Sequence, residues 1–365
     1  MSGAPTACGR CLARSWLLGR LSGHLDRVRA QIGSLLELEA DGDLIAAVGG
    51  RHRDAIVREL ARLDAGRLRS SAAEAGLELI CRCDPAYPAR LRALAAPPAV
   101  LHVAGGLTRF LTLADQDPVA IVGTRRPSSY GAEMARSLGR GLASAGVTIV
   151  SGMALGVDSS AHAGALAAQR AAGTIAVLPG SADRPYPAGK RVLHRRITAS
   201  GAAVSELGPP TSVRRWMFPA RNRVIAALAA ATIVVEAGER SGSLVTARLA
   251  RALGRPVGAV PGRVTAAEAA GPNELLARGA HVVRGPQDVL DQLFGDGVRT
   301  ARATERAALT PGLRELLVAI REGHDTAAAL ARAGFPPERG LAELAALELT
   351  GYISRTPGGK FCVIP

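Results

Sequence analysis

The chemistry available to this chain is concentrated in short turns where glycine, hydroxyl side chains and arginine stand together. The first is Gly123-Thr124-Arg125-Arg126, ahead of Pro127-Ser128-Ser129. The second is Ser151-Gly152, with Asp158 and His162 further on. A third runs from Pro179-Gly180-Ser181 through Tyr186-Pro187 to Lys190 and Arg191. Arg221-Asn222-Arg223 and Ser241-Gly242-Ser243, with Thr246 beyond, complete the set. Glycine lets the backbone approach a ligand, hydroxyls offer short hydrogen bonds, and guanidinium forks match pairs of phosphate oxygens. A mononucleotide needs one such turn, whereas a row of them suits several consecutive phosphates. None has the form G-x-G-x-x-G or G-x-x-x-x-G-K-[ST], so an anion site is expected and a dinucleotide or ATP cofactor is not.

Other groups point less clearly to chemistry. Glu206 and Glu236 follow apolar runs and would be placed for acid/base work, but no nucleophile motif or Ser-His-Asp spacing accompanies them. They are expected to bind backbone amides or pair with Arg221 and Arg223. Asp158 and His162, four residues apart, are expected to cap and pack a helix. Cys8-x-x-Cys11 and Cys81-x-Cys83, with His24 as a further donor, contain the donors of a zinc site. Two correctly spaced pairs close together are missing, so no metal and reduced, unpaired thiols are expected.

Positioning these turns requires a particular frame. From Val119 short Val/Ile-rich runs alternate with helical stretches: Val119-Val122, Thr148-Val150, Ile175-Leu178, Ala203-Ser205, Ile233-Val235, Val257-Val260 and His281-Val283. Continuous apolar strands separated by helices define an α/β, doubly wound, mostly parallel sheet, whose ligands bind beyond the carboxyl ends of the strands. The chemical turns fall at those ends. Residues 77–104 read as a lead-in strand and connector, and 12–64 as helices with apolar positions from Leu17 to Ile32 at helical spacing. The expected division is a small N-terminal helical domain at 1–70, a body at 77–295, a linker at 296–310 and a winged-helix-like domain at 311–365. That last domain carries strands at Tyr352-Ser354 and Phe361-Ile364.

Of the 365 residues 48% are hydrophobic, enough for a large core, and the formal charge of +14 is carried almost wholly by arginine, with Lys190 and Lys360 the only lysines. Such a charge favours a polyanionic partner. The longest clean apolar run, Val224 to Val235, is too short to span a membrane, and no export signal opens the chain, so a cytoplasmic location is expected.

The blocks VAIVGTRRPSSYG, SGMALGVDSSAH, TIAVLPGSADRPYP, SEL, FPARNRVIAAL, VVEAGERSGSLVTARLA and AVPG, in this order, resemble the DNA-processing protein A (DprA, also called Smf) family over about residues 77–295. The resemblance implies an extended Rossmann-like, non-enzymatic, single-stranded-DNA-binding protein of natural transformation and recombination. Such a protein protects incoming strands and loads RecA recombinase onto DNA coated by single-strand-binding protein, working as a homodimer through the Rossmann-like domain. It places DNA contacts on Gly123, Thr124 and Arg125, on Ser151 and Gly152, on Arg221, Asn222 and Arg223, and on Ser241, Gly242, Ser243 and Thr246. Arg126, Lys190 and Arg191 extend the basic rim. Thr124 stands where the family commonly has Ser, and Lys190 where it often has Asn. The alternative is a nucleotide-processing enzyme of the nucleoside-monophosphate phosphoribohydrolase type, whose PGGxGTxxE loop is replaced here by AGERSGSLVTA.

Overall fold

The computed structural model describes residues 7–168, 173–301, 309–350, 352–355 and 358–363; within the expected linker 302–308 fall outside this set, as does Ile364 of the expected terminal strand. Nine strands build the main sheet: β1 (Glu78–Cys81), β2 (Val100–Ala104), β3 (Val119–Val122), β4 (Ile149–Ser151), β5 (Thr174–Val177), β6 (Ala202–Ser205), β7 (Ala231–Val234), β8 (Val257–Ala259) and β9 (His281–Val282). Their order is β1-β2-β6-β5-β4-β3-β7-β8-β9. The seven strands from β6 to β9 are parallel, and β1 and β2 extend the sheet antiparallel beside β6. This is the doubly wound, Rossmann-like α/β architecture.

Period-two alternation feeds both faces of the sheet. In β3, Val119 and Ile121 join one buried cluster with Met134, Leu138 and Val157, while Ala120 and Val122 join another with Val224, Ile225 and Leu228. Every residue of β3 is buried, as a strand sandwiched between helical layers must be. On the first face, helices Ser129–Ser144 and Val157–Ala167 touch backbone to backbone. A Cβ added at Gly164 would lie 2.0 Å from the carbonyl oxygen of Arg136, which leaves room only for glycine.

The chain leaves β3 to one side through β4, β5 and β6, then returns to its other side at β7. Loops after β3 and β7 therefore part, opening a crevice at the switch point.

The N-terminal helices do not stand apart. Leu17, Leu18, Leu21 and Leu25 share a core with Leu207, Trp216, Met217 and Ala220. Ser22 Oγ accepts the Trp216 indole N–H at 3.1 Å, and Asp26 accepts the Trp216 backbone N–H at 3.0 Å. At the other end, helices Pro311–Arg321, Ala327–Arg332 and Pro337–Leu349 precede an antiparallel pair, β10 (Ile353–Arg355) and β11 (Phe361–Val363), around Leu316, Leu330, Leu347 and Phe361. Among the described residues no helix is long and apolar enough to cross a membrane.

Two imidazoles are locked inside this frame. His162 donates from Nδ1 to the Thr174 hydroxyl at 2.7 Å, because that hydroxyl spends its own proton on the Ile149 carbonyl. Burial, reinforced by nearby Arg221, lowers its pKa to about 3. Burial lowers that of His102 in β2 to about 4, against a partial offset from a backbone hydrogen bond at Ser205. Both side chains are neutral in the fold and become charged in the unfolded chain near pH 6.5, so the unfolded state binds more protons as the pH falls. Stability is thus full above that pH and lost below it, by about 2 kcal/mol per histidine near pH 5. Urea unfolding midpoints measured from about pH 7.5 down to about pH 5 should fall accordingly; a flat profile would contradict the burial.

Candidate nucleic-acid interface

The helix Met217–Leu228 forms one wall of the crevice and dictates which arginine enters it. Phe218, Arg221, Asn222 and Ile225 recur at the spacing of one helix face, and all four line a cleft of about 420 Å³. The opposite wall and rim are Gly123, Thr124, Arg125 and Arg126 after β3, together with Ser241, Gly242, Ser243 and Thr246 at the start of the helix Gly242–Ala252. Ten of the sequence-expected residues thus meet in one place.

Arg221 lies at the base of the cleft and is only 8% exposed. Its Nη1 donates to the Val177 carbonyl at the end of β5, at 2.6 Å. Burial lowers its pKa to about 10, with Asp158 opposing that shift and Arg125 adding to it, so it keeps its charge at neutral pH. Gly152 makes the position possible: a Cβ there would lie 1.7 Å from Nη1. Asp158 accepts the backbone N–H groups of Gly152 at 3.1 Å and Ala154 at 3.4 Å. Burial raises its pKa, while Arg221 pulls it back down. The expected helix cap is not what Asp158 forms: Gly156 is the N-cap, without a side-chain bond. Asp158 in the first turn instead closes the preceding loop and favours the charge of Arg221 electrostatically, a relation invisible without knowing which helix lies above it.

Over this base the rim is open. Arg125 and Arg126 are exposed, and the Arg125 guanidinium lies 5.0 Å from the centre of the Phe218 ring. Tyr186, from the loop after β5, meets Phe218 edge-on at 5.4 Å. The Thr124 hydroxyl accepts the Arg126 backbone N–H at 3.2 Å, holding the turn. Across the cleft, the Ser241 hydroxyl caps the helix Gly242–Ala252 and bonds to that of Ser243 at 2.7 Å. The Asn222 amide donates to the Gly242 carbonyl at 3.2 Å, tying the two helices together. Cationic side chains, a capped helix N-terminus and hydroxyls suit an anion.

Five expected residues do not face the cleft. Ser151 spends its hydroxyl on the Ile121 carbonyl at 2.6 Å inside the sheet, and Gly152 lies behind Arg221. Lys190 and Arg191, at the start of the helix Arg191–Ser200, are outside the lining. Arg223 is two residues from Arg221, so it points to the other side of its helix. There its Nη2 meets both Glu206 oxygens, at 2.7 and 2.8 Å. Glu236 is likewise engaged: it accepts the Ser128 backbone N–H at 2.8 Å and hydroxyl at 2.5 Å, at the start of the helix Ser129–Ser144. His24 stacks edge-on against His52, centroids 5.6 Å apart, and is not in the cysteine group.

A Rossmann-like sheet with a basic cleft at its switch point defines the class of protein. The sequence profile of the DNA recombination-mediator protein A family matches residues 78–294, more than half of the chain, and the chain belongs to that family, the DprA/Smf proteins. The putative DNA processing protein DprA of Mycobacterium tuberculosis (strain CDC 1551 / Oshkosh) is 41% identical over 240 residues, 64% of this chain and 61% of its own length. The chain thus spans about 61% of that relative. Protein Smf of Escherichia coli (strain K12) is 36% identical over 286 residues, 75% of this chain and 74% of its own. The DNA processing protein A structure from Streptococcus pneumoniae aligns with a TM-score of 0.62 at 32% identity, covering 78% of this chain and 96% of that one. That from Helicobacter pylori, described for its single-stranded DNA binding mode, aligns at 0.53 and 33%, covering 60% and 97%.

The Arg223–Glu206 pair, with side chains 10% and 11% exposed, makes a stability test. Arg223→Ala strands a buried carboxylate and should cost about 3–5 kcal/mol in denaturant unfolding, whereas Arg223→Met combined with Glu206→Leu should recover most of it. A single-variant loss below about 1 kcal/mol would show that the pair is solvated.

Proposed function

We propose that the chain binds single-stranded DNA along the cleft at the ends of β3 and β7 and acts without catalysis as a mediator of recombination. The observation that carries this reading is the composition of the cleft. It offers guanidinium groups, hydroxyls and a helix N-terminus, while Glu206 and Glu236, the carboxylates an acid/base mechanism would use, are bound to Arg223 and Ser128. Such donors grip phosphates without reading bases. Phe218 and Tyr186 add a small aromatic rim on which a base can stack. Family membership and the single-strand binding mode named for the Helicobacter pylori relative support the same reading.

In this proposal Arg125, Arg126, Arg221 and Asn222 meet the strand with Gly123, Thr124 and the Ser241-Gly242-Ser243 turn and Thr246. Gly152 acts by admitting Arg221, Ser151 by fixing the strand, and Arg223 by fixing its helix; Lys190 and Arg191 extend the path outside the cleft. The body at 77–295 forms a cytoplasmic homodimer, flanked by the helical unit at 1–70 and, beyond a linker at 296–310, the winged-helix-like unit at 311–365. It protects incoming DNA in natural transformation and passes strands coated by single-strand-binding protein to RecA.

Fluorescence anisotropy with labelled oligo(dT) and a matched duplex tests the central claim. Wild type should prefer the single strand and lose affinity steeply with salt. Arg125→Ala should weaken binding about tenfold or more and flatten the log–log salt slope by about 0.7. Unchanged binding by Arg125→Ala would remove the cleft from the interface. Release of free base from nucleoside monophosphates, abolished by Glu236→Gln, would replace the proposal with a phosphoribohydrolase.

A further inference from the structure

The cysteines that the sequence scatters converge in the fold. Cys8 is the N-cap of the helix Gly9–Arg20 and Cys11 lies in its first turn, while Cys81 closes β1 and Cys83 sits in the turn after it. Their four Sγ atoms all lie within 4.8 Å of one another. Cys8 and Cys83 are 4.0 Å apart and Cys11 and Cys83 3.6 Å, and none of the four is in a disulfide. Four thiolates around a tetrahedral zinc, with bonds of about 2.3 Å, form edges of about 3.8 Å. The group therefore has the size of a site for a single ion. An iron–sulfur cluster would hold its cysteines apart around several iron atoms.

The surroundings suit thiolates. The Cys8 backbone N–H points at the Cys81 sulfur at 3.4 Å, and the Arg10 guanidinium donates to the Cys83 sulfur at 3.8 Å. The helix start at Cys8 adds its positive end to the same spot. Cys11 and Cys81 are buried in an apolar cluster with Leu12, Ala72, Leu77 and Leu79, whereas Cys83 is exposed and leaves a route for entry. All-sulfur donors select a soft or borderline ion over magnesium or manganese, and four protein ligands leave no open position for substrate.

We propose that Cys8, Cys11, Cys81 and Cys83 bind one zinc ion as a structural staple between the N-terminal helices and the first strand of the sheet. The staple closes the chain between residues 11 and 81 and fixes the helix whose Ser15 hydroxyl donates to the Glu206 carbonyl at 2.8 Å. It organises the flank of the molecule whether or not the cleft binds DNA.

Tag-free full-length protein, purified under reducing conditions with zinc supplied, should carry about one zinc per chain by plasma mass spectrometry. Its cobalt-substituted form should show thiolate-to-cobalt charge transfer and the intense visible bands of a tetrahedral site. Cys83→Ser should lose most of the metal and Cys362→Ser should keep it. Chelation should lower the thermal midpoint of wild type more than that of Cys83→Ser. Should Cys83→Ser fail to fold, the metal content and cobalt spectrum of wild type still decide the matter. Wild type with less than about a tenth of an equivalent of zinc and no cobalt charge transfer, or with these cysteines joined in disulfides, overturns the proposal.

Discussion

A guanidinium buried at the ends of parallel strands constrains everything around it. Taking Arg221 out of water costs several kcal/mol unless its neighbours replace the lost hydration. They do so in part: the Val177 carbonyl from β5 accepts a hydrogen bond from Nη1 and the Asp158 carboxylate from the helix after β4 favours the charge electrostatically. Gly152 leaves the space, while Nε stays without a hydrogen-bond partner among the described residues. Asp158 in turn must accept the amides of its own loop, so the loop after β4 is shaped by the same charge. The crevice that any Rossmann-like sheet opens at its switch point here receives a fixed positive base.

The remaining polar groups at the strand ends divide between gripping and bracing. Glu236 braces the start of the helix after β3, Ser151 ties β4 to β3, and Thr124 holds its own turn through the Arg126 amide. Bracing groups are rigid because their hydrogen bonds are already made. What is left open at the cleft is carried on long arginine side chains at the rim, where Arg125 keeps an aromatic ring beneath it. Firm base and adaptable rim follow from which side chains find partners within the chain.

The frame was largely legible in the sequence, because a strand buried on both faces must be a run of apolar, β-branched residues; Val119-Val122 is observed at the expected bounds and the others move by one or two positions. Partner choice between strands was not, since β1 and β2 join the sheet beside β6 through contacts some hundred residues away. At the cleft, residue type was a good guide and direction a poor one. Arg221 and Arg223 look alike in a motif, yet two residues of helix send them to opposite sides, a separation that helical periodicity alone would have disclosed. Ser151 is expected at the cleft because its backbone lies at a strand end, while its hydroxyl turns inward to the Ile121 carbonyl. The cysteine group was hidden by chain distance, for only the docking of the first helix beside β1 brings the two pairs together.

The two-faced helix Met217–Leu228 has a consequence for how the protein can vary. One side carries Phe218, Arg221, Asn222 and Ile225 to the cleft, and the other carries Met217, Ala220 and Arg223 to the N-terminal helices and Glu206. Trp216, just ahead of it, is already committed to Ser22 and Asp26. A side chain exchanged on either side is felt on the other, because a rigid rod cannot turn one flank without turning both. Drift in the N-terminal helices is therefore admissible only where it leaves the angular setting of this rod unchanged, which couples the history of the two regions to one rotation.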